Sequence, residues 1–114
     1  MSYEPVPDGE LAAVVTYLEM RERPSLDVPH STLQLRHLAR PSADHYRALF
    51  RKIGSPWLWF SRLTLDDAKL EAAIHDSKVE LFEIAAVEAV VGMLELDFRE
   101  PGECELAFIG LVPE

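Results

Sequence analysis

Residues 78–113 read KVELFEIAAVEAVVGMLELDFREPGECELAFIGLVP, and the fold turns on the period of this stretch. Phe82, Ile84 and Ala86 fall on one face of an extended segment, and a short turn follows near Val87 to Ala89. Val90, Gly92, Leu94, Leu96 and Phe98 then alternate with Val91, Met93, Glu95 and Asp97. Arg99 to Glu103 (REPGE) carries Pro and Gly and reads as a second turn. Leu106, Phe108, Gly110 and Val112 share one face of a last strand. Strands joined by turns this short must run antiparallel, so the stretch is a three-stranded meander.

Toward the N-terminus the period changes to that of a helix. Ser42 is an N-cap candidate, and Tyr46, Leu49, Phe50 and Ile53 stand at i, i+3, i+4 and i+7, with Gly54 as the stop. Thr64 and Asp67 form a capping pair for a second helix that buries Leu70, Ala73 and Ile74. Between the helices lies SPWLWF, a loop with two tryptophans. Leu33, Leu35 and His37 alternate in a strand that ends before Pro41. Leu11 to Met20 (LAAVVTYLEM), with Val14, Val15 and Thr16, reads as a further strand, and Arg21 to Ser31, with Pro24 and Pro29, as a loop. The order strand, strand, helix, helix, meander makes this an α+β chain in a single domain over 1–114.

Composition excludes several classes. With 48% hydrophobic and 27% charged residues the chain is too apolar for a disordered protein. No apolar run approaches the roughly 18 residues of a membrane helix, and the acidic N-terminus lacks the apolar core of a secretory signal. The expected compartment is the cytoplasm. One cysteine, Cys104, leaves no internal disulfide and no cysteine-rich zinc site, and the four histidines lack metal-ligand spacing. The net charge of -9 resides in residues 61–114, which hold four basic and thirteen acidic side chains. Such a surface repels phosphate backbones, so nucleic acid is not an expected partner. A cationic substrate or a basic protein surface suits it.

The order of elements and the segment Glu105 to Pro113 (ELAFIGLVP) resemble the N-terminal part of the GNAT superfamily of acetyl-CoA-dependent N-acetyltransferases. The resemblance implies a GNAT-like mixed sheet. It covers nearly all of this chain but only about the first two thirds of a family domain. The family next supplies a Gly-rich loop whose N–H groups bind the coenzyme's pyrophosphate, and residues 1–114 end just before it. The domain therefore reads as truncated. A missing C-terminal half or a second copy is expected to cover the sheet, and the 114-residue chain alone is expected to bind acetyl-CoA weakly and to be inactive.

The resemblance also assigns roles. Glu105 stands where many family members carry a general-base glutamate, which frees a substrate amine to attack the thioester. The main chain of Ile109, Gly110, Leu111 and Val112 matches the segment that pairs with the pantetheine arm of acetyl-CoA, with a strand N–H near Ile109 facing the oxyanion. Trp57, Trp59 and Phe60 fall where the family builds its acceptor pocket for a small-molecule or peptide amine, although rings in such a loop also serve as anchors to the core. Arg47 and Arg51 read as a solvated helix stripe and Cys104 as a small buried hydrophobe. The alternative function is a non-catalytic acidic interaction module that pairs with another chain.

Overall fold

The computed structural model describes residues 4–113. Its elements are β1 (Gln34–His37), α1 (Ala43–Gly54), a 3₁₀ turn (Ser55–Trp57), α2 (Asp67–Ile74), β2 (Val79–Ala86), β3 (Ala89–Asp97) and β4 (Glu105–Leu111). The chain is α+β, with one four-stranded sheet in the order β1-β2-β3-β4 and every neighbouring pair antiparallel. The meander is as its period predicts, with a tight turn at Val87 and Glu88 between β2 and β3.

One expected strand does not form. Leu11 to Met20 has no regular secondary structure and is exposed along its whole length. Alternation and β-branched residues supply propensity, but a strand also needs a neighbour for its N–H and C=O groups. Among the described residues nothing pairs with this segment, so the sheet has four strands rather than five. The radius of gyration, 16.5 Å, exceeds the ~13 Å usual for about 100 residues. Residues 4–33 carry no helix or strand and are exposed throughout.

Both helices lie on one face of the sheet. The Ser42 hydroxyl caps α1, accepting from His45 N at 3.1 Å, and Tyr46, Leu49, Phe50 and Ile53 form its buried stripe as the spacing requires. Asp66, not Thr64, caps α2 by accepting from Lys69 N at 2.8 Å, because the Thr64 hydroxyl donates instead to Ser61 O. The helices meet Val79, Leu81 and Met93 to make the core. Arg47 is no solvated stripe: its guanidinium reaches the Asp67 carboxylate and Leu65 O, tying the start of α2 to α1. Cys104 is exposed rather than buried.

Two glycines allow α1 and the Trp59 ring to pack closely against β4. Gly54 does not stop α1 in a left-handed turn; its φ is -91°, and its role is steric. A Cβ there would lie 2.5 Å from the Trp59 ring. A Cβ on Gly110 of β4 would lie 2.7 Å from Ile53 Cγ2 and 3.1 Å from Trp59 Cη2. Gly110→Ala is therefore expected to destabilise the fold by about 1–3 kcal/mol through overpacking. Urea unfolding checks this, with a shifted midpoint and an unchanged slope.

The opposite face of the sheet is largely apolar, and neither helix packs on it. Opposed residues in an antiparallel sheet share a face, which groups Phe82 with Leu94 and Ile109, Ile84 with Gly92 and Leu111, and Leu96 with Leu106. Leu35, Leu106, Ile109 and Leu111 are exposed there.

Candidate functional site

The register of β3 and β4 contains the irregularity that builds the site. Glu95 opposes Phe108 while Leu96 opposes Leu106, so Ala107 is an extra residue in β4, a β-bulge. Strict alternation would set Glu105 with Ala107 and Ile109 and against Phe108. The bulge cancels that. Glu105, opposite Asp97, and Phe108, opposite Glu95, both face the helices, as Ile109 faces away.

A cavity of about 240 Å³ lies on that face at the start of β4, lined by Ser61, Arg62, Leu65, Asp97, Arg99, Glu105, Ala107 and Phe108. Behind Arg62, on its inner side, lies a buried polar network. Glu95 is fully buried and divides its carboxylate between Tyr46, whose hydroxyl donates to Oε1 at 2.5 Å, and Arg62, whose Nη2 donates to Oε2 at 2.5 Å. Burial, reinforced by the neighbouring Glu95 charge, pushes the Tyr46 hydroxyl far above its ordinary pKa, so it stays a donor. The Arg62 guanidinium lies over the Phe108 ring, 5.6 Å from its centroid, and its Nε is buried without a partner.

At the outer wall Arg99 holds Asp97 through Nε at 3.0 Å and Nη2 at 2.7 Å. That side-chain pairing holds the Asp97 carboxyl below its ordinary pKa. A depressed folded-state pKa contributes stability that is complete above about pH 4 and is lost as the pH falls through the folded value. Below about pH 4 the parent should lose stability more steeply with falling pH than Asp97→Asn, as acid titration followed by circular dichroism will register. Arg99 is half in solvent, so the difference should be small. Glu105, in contrast, has no ion pair and no side-chain hydrogen bond among the described residues.

The sequence-predicted residues divide sharply by place. Glu105 lines the cavity; Trp57, Trp59 and Phe60 do not. Trp57 and Phe60 are exposed, on the 3₁₀ turn and just after it. Trp59 packs against Phe50 and Phe108 with ring centroids 5.5 and 5.2 Å away, which makes it the anchor of its loop. The part of the inter-helix loop that does reach the cavity is Ser61, Arg62 and Leu65.

β4 is an edge strand, with β3 its sole neighbour among the described residues. Val112 N donates inward to Val91 O at 2.7 Å. By alternation Gly110 also turns its main chain toward β3, whereas Ile109 and Leu111 present theirs to the free edge. Of the four residues assigned to the pantetheine arm, these two therefore have main-chain groups available for an extended ligand.

Tyr46, Arg62, Glu95, Asp97 and Arg99 were not indicated by any motif. The available signal was weak: a tyrosine within an otherwise apolar helix stripe, and two carboxylates flanking Leu96 on the Met93 face of β3. A second cavity, of about 380 Å³, includes His37, His75, Asp76 and Glu80. The His75 Nε2 there is engaged with Pro41 O at 2.6 Å, a structural tie between α2 and the start of α1. No group of three or more metal-ligating side chains occurs among the described residues, and no helix among them is long and apolar enough to cross a membrane. Comparison with protein-family models, with curated proteins and with solved structures finds no match.

Proposed function

We propose that the protein is a GNAT-like N-acetyltransferase that moves an acetyl group from acetyl-CoA to an amine. One observation carries the reading. Glu105, a carboxylate with no partner, lines a cavity on the same strand whose outer edge offers the free main-chain groups of Ile109 and Leu111. The first feature suits a base for an ammonium substrate, and the second suits an extended arm laid beside the strand.

The roles follow from that placement. Acetyl-CoA supplies the thioester. Glu105 takes a proton from the substrate ammonium, directly or through one water, and the amine then forms a C–N bond at the acetyl carbonyl as the C–S bond breaks. The thiolate released takes up a proton. Ile109 and Leu111 hold the arm. A thiol-release assay with acetyl-CoA and a panel of primary amines tests this. Release dependent on an amine is expected, and none with any amine from a folded protein would overturn it.

One observation favours the second reading, an interaction module: the largely apolar sheet face opposite the helices, carrying Leu35, Leu106, Ile109 and Leu111. Light scattering over a concentration series separates the two. A self-associating chain without amine-dependent thiol release supports the module.

A further inference from the structure

The charges in the cavity are not spread evenly along the strands. Two register pairs face the helices there: Glu95 with Phe108, and Asp97 with Glu105. They lie two residues apart along β3, on the order of 7 Å. The inner pair is topped by Arg62, which gives Nη2 to Glu95; its Nη1 makes no hydrogen bond among the described residues, and its Nε is buried away from the cavity. A guanidinium has five N–H donors, so Arg62 retains donor capacity after its bond to Glu95. At the outer pair Asp97 is already engaged by Arg99, which leaves Glu105 as the unpaired carboxylate. Leu65 and the Phe108 ring supply apolar surface between these ends.

A cavity with donor capacity at one end, a free carboxylate at the other and an apolar floor matches a zwitterion. Its volume of about 240 Å³ falls below the roughly 300–1,000 Å³ of sites for drug-sized ligands, which favours a single small molecule over a peptide. We propose that the ligand of this site is a free α-amino acid with an apolar side chain, its ammonium on Glu105 and its carboxylate on Arg62. The proposal rests on the acetyltransferase reading for what becomes of the amine, but not for the binding itself.

The test uses three probes without acetyl-CoA: L-leucine, 3-methylbutylamine, which lacks the carboxylate, and 4-methylpentanoate, which lacks the ammonium. Calorimetry with the parent chain should give saturable binding of L-leucine at least tenfold tighter than either analogue. Glu105→Gln, at an exposed and unpartnered position, should retain the fold and bring L-leucine down to the level of 4-methylpentanoate. The amine binding as tightly as L-leucine would overturn the proposal, as would an L-leucine affinity unmoved by Glu105→Gln or no saturable L-leucine binding. Transfer to 3-methylbutylamine with none to L-leucine would overturn it while leaving the acetyltransferase reading intact. L-leucine binding of the expected pattern, with no transfer to any amine, would support it and overturn only that reading.

Discussion

On the acetyltransferase reading, Glu105→Gln is expected to lower the maximal rate of acetyl transfer by roughly 10²–10⁴, the usual worth of a positioned general base. The amide keeps the side chain's size and removes its capacity to accept a proton. Glu105 is exposed at the mouth of the cavity and lacks an ion pair, so the change leaves no buried charge behind and the fold should be unaffected. Affinity for acetyl-CoA should barely move, because the arm-facing groups belong to Ile109 and Leu111 on the other side of the bulge. The acidic limb of the pH–rate profile should flatten in the same variant. Steady-state rates measured across pH at saturating acetyl-CoA check both effects. A rate within threefold of the parent would return Glu105 to the surface, and a tenfold loss of cofactor affinity would make its role structural.

The largest effect on stability is expected at Arg62. Arg62→Met leaves Glu95 fully buried with the Tyr46 hydroxyl as its remaining donor, an uncompensated charge that should cost about 3–5 kcal/mol. Tyr46→Phe removes one hydrogen bond and leaves the ion pair, so its cost should be nearer 1–3 kcal/mol. Replacing the pair together, Arg62→Met with Glu95→Leu, removes both charges and should recover much of the loss. Denaturant unfolding of the parent, Arg62→Met, Glu95→Leu and the Arg62→Met/Glu95→Leu double variant, read as a double-mutant cycle, measures the coupling. The network also shapes the site. Arg62 pins the loop that contributes Ser61 and Leu65 to the cavity, and without it the wall over Phe108 should loosen.

The parts of this fold that the sequence makes legible are those with local causes. The meander follows from period-two alternation closed by tight turns, and α1 from the i, i+3, i+4, i+7 stripe behind Ser42. Leu11 to Met20 misleads because its composition meets half the requirement for a strand; the other half is a neighbour, which no local pattern encodes. The Glu95 network is silent for a related reason. Its members stand 49 and 33 residues away, at Tyr46 and Arg62, and until they meet Glu95 reads as an ordinary polar residue on an alternating strand. The bulge at Ala107 has no letter of its own, yet it decides which way Glu105 faces. The tryptophans mislead in the opposite sense. Trp59 is conspicuous in the sequence, but the glycines at 54 and 110 make room for its ring as packing, and the site takes its loop residues from Ser61 onward.

The central claim is that Glu105 accepts the proton of the amine bound beside it. Chemical rescue tests it most directly. Glu105→Ala removes the carboxylate and opens space in the cavity for a small exogenous one. The account predicts that transfer by Glu105→Ala, slow in plain buffer, rises with added formate, while the parent shows no such dependence. A Glu105→Ala rate that stays flat over the formate series, in a protein that still folds and still binds acetyl-CoA, would contradict it.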